Sequence, residues 1–242
     1  MRKLFFITGS SKGIGKGLAE YALQDENNHV IGISRTHSID HPNYTGISID
    51  LSDVKKLEKE AEELLTTDKD FDSMVLINNA GTLGDVKHLG KIDAASITHL
   101  FNLNVTAPIL LMNAFMKIYR DFEGDKTIIN ISSGAGKNAV DGWSGYCASK
   151  AALDMATEVA AKENKLDNGR FRIHAIAPGV VDTEMQTQIR STNEQDFSGV
   201  NRFKSLKEDQ QLSSEKEVAE KYFQILNHPE KYQEVILDVR NI

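Results

Sequence analysis

Two residues capable of acid–base chemistry, Tyr146 and Lys150, lie four positions apart in a stretch whose pattern predicts a helix. Residues at that spacing share one helix face, about 6 Å apart along the axis. A free phenol holds its proton too tightly for efficient transfer at neutral pH, and a neighbouring ammonium group lowers the phenol pKa. The pair therefore predicts a proton-transfer site in which Tyr146 is the reacting group.

A serine hydroxyl stands at the end of the apolar run that precedes this pair. Ser133 follows residues 127–132, which predict a buried strand. Doubly wound sheets place ligands at the carboxyl ends of their strands, and a serine hydroxyl there can hold a substrate oxygen on which charge develops. Taken singly, Tyr146 as a half-buried helix residue and Ser133 as a strand-end cap remain open alternatives.

A glycine-rich loop separates the first predicted strand from the first predicted helix. Glycines let the backbone turn sharply and approach a pyrophosphate, while the helix N-terminus offers free N–H groups and the positive end of its dipole. The segment predicts a dinucleotide site, and the alternative is a plain tight turn. The loop residues assigned to the site are Gly9, Ser11, Lys12, Gly13, Ile14 and Gly15.

The end of the second predicted strand indicates which dinucleotide is bound. Sites for NAD commonly place an acidic residue there to bind the ribose 2′-hydroxyl, whereas this chain has Arg35. A guanidinium group pairs with a 2′-phosphate, and Lys12 in the glycine loop is a second cation for the same group. The sequence therefore predicts NADP(H). The alternative is that both are solvated surface cations.

Strand-length apolar runs alternate with longer amphipathic stretches along the whole chain. Apolar strands buried on both faces belong to parallel sheets covered by helices, so the fold class is α/β. We predict a single-domain Rossmann fold with a doubly wound, seven-stranded parallel sheet and helices on both faces. The strand runs are 4–8, 30–34, 46–49, 74–78, 127–132, 172–177 and 234–239. The helical stretches are 14–26, 53–66, 95–119, 144–164 and 215–227.

No repeat or low-complexity linker divides the sequence, so residues 1–242 are predicted to form one domain. The segment 182–214 is polar and lacks a clear period. We expect it to be an irregular insert that serves as a substrate-binding loop or lid.

Composition excludes several functional classes. The chain has 40% hydrophobic and 26% charged residues, one cysteine and a net charge of −7. It is therefore not a disordered chain or a disulfide-stapled module, and the acidic balance argues against a nucleic-acid partner. No uninterrupted apolar stretch of about 18 residues predicts a membrane span, and the histidines lack metal-ligand spacing, so no metal is expected. The short apolar N-terminus fits a strand better than a signal peptide, which favours the cytoplasm.

Together the motifs resemble those of the short-chain dehydrogenase/reductase family along essentially the whole chain. The shared elements are Thr8-Gly9-x3-Gly13-x-Gly15, Asn78-Asn79-Ala80-Gly81, Asn104, Ser133, Tyr146-x3-Lys150 and Pro178-Gly179. The resemblance implies that Tyr146 is the general acid in carbonyl reduction and that Ser133 positions the carbonyl oxygen. It also implies that Lys150 lowers the pKa of Tyr146 and binds the nicotinamide ribose, and that Asn104 holds a proton-relay water.

Further cofactor contacts are implied by the same resemblance. Asp50 and Leu51 would lie by the adenine, and the four residues from Asn78 to Gly81 would line the cofactor and brace the sheet. The segment at the nicotinamide would comprise Pro178, Gly179, Val181 and Thr183. By resemblance, the protein would form a homodimer or homotetramer through the stretches 95–119 and 144–164.

Within the family, the segments 79–85, 142–150 and 177–186 resemble the sepiapterin and benzil reductases. That resemblance implies reduction of a 1,2-dicarbonyl or an aromatic α-substituted ketone. Asp238 matches a carboxylate that anchors the pterin of sepiapterin reductases, and the alternative is a strand-end residue facing solvent. Trp143 is expected to wall an aromatic pocket or to pack on the sheet. Residues expected to begin the lid are Met185, Gln186 and Ile189.

Two other functions remain open from the sequence. Ketoacyl-type reductases share the catalytic set but usually end in a glycine-rich segment that this chain lacks, since it ends in Leu237-Asp238-Val239-Arg240-Asn241-Ile242. A non-catalytic NADP-binding sensor is the other alternative. A sensor has no physical need for a phenol positioned beside an ammonium group.

Overall fold

The computed structural model describes residues 1–67 and 70–242, and within them seven parallel strands form one sheet. The strands are β1 Lys3–Thr8, β2 His29–Ser34, β3 Tyr44–Ser48, β4 Ser73–Asn78, β5 Asp125–Ile131, β6 Phe171–Ala177 and β7 Ile236–Asp238. Their order in the sheet is β3-β2-β1-β4-β5-β6-β7. The predicted doubly wound architecture is confirmed, although the last strand is shorter than the predicted run 234–239.

The central strands are apolar because helices cover both faces of the sheet. Successive strand residues point to opposite faces, and accordingly Phe5 and Phe6 of β1 belong to two separate hydrophobic clusters. Both side chains are fully buried. Every residue of β4 is likewise buried, which is the pattern that a two-sided core requires.

The helices occupy the predicted stretches, except that the stretch 95–119 is interrupted and that two further helices lie within 182–214. They are α1 Gly13–Ala22, α2 Val54–Leu64, α3 Ala94–Phe101, α4 Ala107–Ile118, α5 Ser144–Leu166, α6 Glu184–Arg190, α7 Val200–Glu208 and α8 Glu215–Asn227. Hydrogen bonds from polar side chains determine where two of these helices begin. Asp53 accepts a hydrogen bond from the backbone of Lys56 before α2, and Ser214 with Glu217 forms a capping box at α8.

The predicted helix 95–119 is interrupted by a π-helical turn, Asn102–Thr106, between α3 and α4. Pro108 has no N–H group, so the α-helical hydrogen bond to the carbonyl of Asn104 cannot form. The N–H of Ala107 instead donates to the carbonyl of Asn102, five residues back. The run Ala94–Ile118 has a mean hydropathy of 1.3 and is long and apolar enough to cross a membrane. Core helices that pack on a sheet meet the same criteria of length and composition.

The segment 182–214 is only partly irregular, so the expectation of a wholly irregular insert was wrong. It contains α6 and α7, which are too short to be stable alone and are held by tertiary contacts. The carboxylate of Asp182 pairs with Lys207 of α7 at 2.5 Å and with Arg190 of α6 at 3.7 Å. Apolar side chains of both helices and of the loop between them are buried, including Ile189 and Phe197.

Candidate active site

The predicted site residues converge at the carboxyl edge of the sheet. Because β1, β4, β5 and β6 are neighbouring parallel strands, the segments that follow them emerge side by side. These segments begin at Gly9, Asn79, Ser132 and Pro178. Helix α5 lies across the same region and supplies Tyr146 and Lys150.

The glycine loop has the geometry of a phosphate cradle. Gly9 and Gly13 have φ values of +67° and +61°, which disfavour any side chain. A Cβ on Gly15 would lie 2.4 Å from the carbonyl oxygen of Gly9, so a residue with a side chain does not fit at this position without a shift of the backbone. Lys12 precedes α1 without making a side-chain cap. The first-turn N–H groups of α1 therefore suit an anionic group, and the loop fits a dinucleotide.

Thr8, which the sequence analysis did not assign to the site, ties the glycine loop to the end of β4. Its Oγ1 accepts hydrogen bonds from the backbone N–H groups of Asn79 and Ala80, both at 2.9 Å. The Asn79 side chain also contacts the loop, because its Nδ2 donates to the carbonyls of Thr8 and Gly9 at 2.9 and 3.1 Å. These contacts fix the loop against the sheet, and the threonine–asparagine pattern was the available signal.

Asn78 braces the sheet through a buried chain of amides. Its Nδ2 donates to Oδ1 of Asn130 on β5 at 2.9 Å, and Nδ2 of Asn130 donates to Thr157 of α5 at 2.8 Å. Oδ1 of Asn78 is buried without a hydrogen-bond partner in the part of the chain that the structure describes. Buried polar networks of this kind fix a unique packing of helix on sheet.

The two cations predicted to bind a 2′-phosphate do not converge in the structure. Arg35 is exposed at the end of β2, whereas the Lys12 ammonium pairs with the carboxylate of Glu184 at the start of α6. Asp50 accepts hydrogen bonds from the Ser52 hydroxyl and backbone, which together with nearby Arg35 lower the pKa of its carboxyl. Leu51 is buried beside it.

Ser133, Tyr146 and Lys150 lie close together. The Ser133 hydroxyl is near enough to the Tyr146 phenol to lower its pKa, and Tyr146 is 7% exposed. The Lys150 ammonium lies 5.8 Å from the centre of the Tyr146 ring and donates to the carbonyl of Ile131 at 2.7 Å. This grouping places a proton donor, a cation and a hydroxyl in one buried space.

Burial is the largest influence on the pKa of Tyr146. It raises that pKa to about 12, and the nearby Ser133 hydroxyl opposes the shift only in part. Burial lowers the pKa of Lys150 to about 8, while the Asp154 carboxylate acts in the opposite direction. The Lys150 ammonium faces the tyrosine ring and donates to the Ile131 carbonyl. The lowering of the Tyr146 pKa by Lys150 stays a prediction.

Asn104 lies on the π-helical turn and is almost fully buried. Its side chain clamps the backbone of Thr82, accepting from the N–H at 2.9 Å and donating to the carbonyl at 2.8 Å. The remaining amide hydrogen faces Ser149 of α5 at 3.2 Å. The side-chain amide therefore joins the segment after β4 to α5, and a role in holding water stays a prediction.

The buried carboxylate of Asp154, which was not predicted from the sequence, lies near Lys150. Asp154 follows Lys150 by one helical turn on α5 and is 8% exposed. The hydroxyl of Ser132, the residue before Ser133, donates a short hydrogen bond to its Oδ1. The repeated four-residue spacing from Tyr146 through Lys150 to Asp154 was a signal that could have identified it.

Trp143 packs on the α6–α7 segment and on Tyr146 rather than on the sheet. Its ring centre lies 5.8 Å from that of Tyr146 in an edge-to-face arrangement. It also lies 5.1 Å from Phe197 and 5.6 Å from Phe203. The same cluster contains Met185 and Ile189, while Gln186 is buried nearby. An aromatic wall therefore stands next to the phenol.

The segment after β6 lies close to the glycine loop. Gly179 has a φ of +73°, and Val181 forms a bridge with Ser213. A Cβ on Gly13 would lie 3.6 Å from Cγ2 of Thr183. Thr183 thus lies beside the glycine loop, and cofactor contacts by Pro178 to Thr183 stay a prediction.

Asp238, at the end of β7, is not a free carboxylate. It accepts hydrogen bonds from the backbone N–H of Arg240 at 2.9 Å and from Nε and Nη2 of the same side chain. These bonds hold the pKa of Asp238 below its usual value. A pterin anchored by Asp238, as expected from the resemblance, would therefore have to compete with Arg240 for this carboxylate.

Comparison with known proteins agrees with this geometry. The family described as short chain dehydrogenase matches residues 3–194. The chain is 40% identical over 215 residues to benzil reductase ((S)-benzoin forming) of Bacillus subtilis (strain 168), with 88% of each chain covered. It is 30% identical over 206 residues to sepiapterin reductase of Mus musculus, with 77% of each covered.

A solved structure shows the same fold. The KRED1-Pglu enzyme superposes with a TM-score of 0.80 at 27% identity, over 92% of this chain and 94% of that one. The family match covers most of the chain, and the sheet order and the grouping of Ser133, Tyr146 and Lys150 are consistent with it. The chain therefore belongs to the short-chain dehydrogenase family of oxidoreductases, which bind NAD(P) and act on small molecules.

Proposed function

We propose that this protein is an NADPH-dependent carbonyl reductase that acts on a 1,2-dicarbonyl or an aromatic α-substituted ketone. The observation that carries the proposal is the buried group formed by Ser133, Tyr146 and Lys150 beside the aromatic ring of Trp143. The reactivity of the substrate supports it, since a neighbouring carbonyl withdraws electrons and makes the reacting carbon more electrophilic. The single free cysteine, Cys147, fits a cytoplasmic enzyme.

Each catalytic residue has one task in this proposal. Bound NADPH would supply the hydride that the carbonyl carbon receives. Ser133 holds the carbonyl oxygen, on which negative charge develops, and Tyr146 donates the proton that completes the alcohol. The high pKa of Tyr146 keeps this proton in place at neutral pH until the oxygen becomes basic. The charge of the Lys150 ammonium, 5.8 Å from the ring centre, would stabilise the phenolate that remains without a direct hydrogen bond to it.

The dinucleotide would lie along the edge of the sheet. Its phosphates would face the N–H groups at the start of α1, and the adenine ribose would face Arg35. Lys12 would join Arg35 only by leaving Glu184. Residues proposed to line the rest of the site are Asp50, Leu51, Asn78, Asn79, Ala80, Gly81, Pro178, Gly179, Val181 and Thr183.

Two relatives support different aromatic carbonyl substrates. The Bacillus subtilis relative is named for benzil and the mouse relative for sepiapterin. The pairing of Asp238 with Arg240 favours the first, because a pterin amino group would have to displace the guanidinium. Trp143, Met185 and the α6–α7 segment would wall and cover the substrate.

The test of this substrate class compares NADPH consumption with benzil and with sepiapterin. We expect kcat/KM to favour benzil by at least about tenfold, equivalent to ~1.4 kcal/mol in transition-state binding. A tenfold preference for sepiapterin would instead make Asp238 a pterin anchor. Failure with both substrates would remove the proposed substrate class.

The mechanism is tested by Tyr146→Phe, which removes the phenol oxygen and keeps the ring. Loss of the proton donor should lower kcat for reduction by roughly 10²–10⁴-fold, while NADPH binding followed by fluorescence is retained. Tyr232→Phe, a partly buried tyrosine outside the site, is the matched control and should be unchanged. Undiminished reduction by the Tyr146 variant would contradict the mechanism.

Cofactor preference is tested by Arg35→Ala. Removing the cation should raise KM for NADPH at least about tenfold and leave KM for NADH nearly unchanged, because only NADPH carries the 2′-phosphate. Arg120→Ala, an exposed arginine after α4, serves as the control. An equal change in both KM values would show that Arg35 does not bind the phosphate.

A further inference from the structure

The side chain of Arg240 lies at the mouth of the proposed site, although sequence reasoning attached no role to it. Its Nη2 is 4.0 Å from the position that a Cβ on Gly134 would take, and Gly134 directly follows Ser133. Its Cγ is 3.5 Å from the corresponding position on Gly179. The arginine therefore spans from the serine loop to the segment proposed to face the nicotinamide.

The guanidinium is held in a fixed orientation. Asp238 accepts from its Nε at 2.9 Å and from its Nη2, which is a side-on bidentate pair. The turn that carries it, Val239–Asn241, is anchored because Lys221 of α8 donates to the carbonyls of Val239 and Ile242 at 2.7 and 3.3 Å. A fixed cation loses little conformational entropy when it binds a ligand.

The pair with Asp238 leaves part of the guanidinium unused. Arginine has five N–H donors, and Asp238 engages those of Nε and one of Nη2. The side chain is 65% exposed, so the remaining donors on Nη1 and Nη2 face outward beside Gly134. Lys137 adds positive charge within electrostatic reach of Asp238. The unused donors therefore lie near Gly134, the residue that follows Ser133, and are available to an oxygen atom of a ligand.

We propose that Arg240 is a substrate-binding residue that hydrogen-bonds the second oxygen of a vicinal dicarbonyl while Ser133 and Tyr146 hold the first. The inference rests on the proposed function and narrows it, because a ketone without an oxygen on the adjacent carbon makes no hydrogen bond with these donors. Arg240 thereby selects 1,2-dicarbonyl compounds over simple aromatic ketones. Asp238 positions the guanidinium and does not contact the substrate in this arrangement.

The test measures binding of a matched pair of ligands by calorimetry to the NADP⁺-saturated protein. The pair is 1-phenyl-1,2-propanedione and 1-phenylpropan-1-one, which differ by replacement of the second carbonyl with CH₂. In Arg240→Gln the Kd of the dione should rise about tenfold, and that of the monoketone should stay within about twofold. Arg240→Lys should recover part of the loss, and Arg120→Gln is the control for removal of an exposed arginine.

The possible outcomes separate this inference from the proposed function. An equal rise in the Kd of both ligands would show that Arg240 has only a structural role. An unchanged Kd of the dione would show that Arg240 does not contact the substrate. Either result overturns the inference. Failure of the wild type to bind the dione overturns both. Arg240-dependent dione binding without NADPH consumption would retain the inference and overturn the proposed reduction.

Discussion

At the scale of single residues, the charge on Lys150 is set by opposing effects of burial and Asp154. Burial disfavours the ammonium and lowers the pKa of Lys150 to about 8, whereas the nearby carboxylate raises it. Asp154 itself is flanked by the charges of Lys137, Lys150 and Glu158, and burial raises its own pKa. The hydrogen bond from Ser132 favours its ionised form.

This balance predicts the pH dependence of reduction. Tyr146 keeps its proton up to about pH 12, so loss of the Lys150 charge should make kcat/KM for reduction fall as the pH rises through about 8. Asp154→Asn removes the charge that raises the Lys150 pKa and should shift this falling limb to lower pH. The measurement is the pH profile of kcat/KM between pH 6 and 10.

A variant on the same helix provides the control for this profile. Glu163 is an exposed carboxylate of α5, and Glu163→Gln should leave the profile unchanged. A limb that stays in place in Asp154→Asn would show that the carboxylate does not act on Lys150. Rescue of the wild-type profile by Asp154→Glu would separate the effect of charge from that of packing.

At the scale of elements, α6 and α7 depend on aromatic packing against Trp143. Phe197 is 2% exposed and contacts both Trp143 and Phe203. The same tryptophan lies edge-on to Tyr146, so the packing of the insert is coupled to the position of the catalytic ring. The ion pairs of Asp182 with Arg190 and Lys207 are partly exposed and contribute less.

Phe197→Ala is therefore expected to affect both stability and substrate binding. The cavity should lower the free energy of unfolding by about 3–5 kcal/mol, as measured by denaturant titration. KM for the carbonyl substrate should also rise, because the wall formed by Trp143 loses its support. Phe122→Ala, which removes a partly buried ring beside the other core cluster, should destabilise without changing KM. A KM unchanged in Phe197→Ala would contradict the coupling.

At the scale of the whole molecule, exposed apolar residues on α3, α4 and α5 lead us to propose that the protein forms the homodimer or homotetramer that the family resemblance implies. Ile97 and Ile109 are partly exposed on α3 and α4. Met155 and Val159 are 59% and 45% exposed, and their four-residue spacing puts them on one face of α5. Burying these side chains between copies would remove apolar surface from water.

Met155→Glu tests this assembly. A charge buried between copies is costly, so the variant should sediment as a smaller species than the wild type at the same concentration. Leu89→Glu places the same charge at an even more exposed apolar residue, 74% exposed, outside these helices and should leave the sedimentation unchanged. A wild type that sediments as a monomer, or a variant with unchanged mass, would contradict the proposed interface.

The sequence by itself determined the features that depend on local pattern. The seven strands follow from apolar runs of strand length, and the glycine loop follows from residues that tolerate a left-handed backbone. The spacing of Tyr146 and Lys150 placed both on one face of α5 because the helical repeat is fixed. Parallel strand order then brought Ser133 to the same edge.

Only the tertiary structure decided which distant side chains meet. The pairing of Lys12 with Glu184 and the packing of Trp143 on Phe197 join residues far apart in the chain, and no local period encodes them. Helices α6 and α7 are too short to be signalled by periodicity and exist because their side chains are buried elsewhere. Burial also decided the pKa of Tyr146, since desolvation depends on the whole surrounding fold rather than on neighbours in sequence.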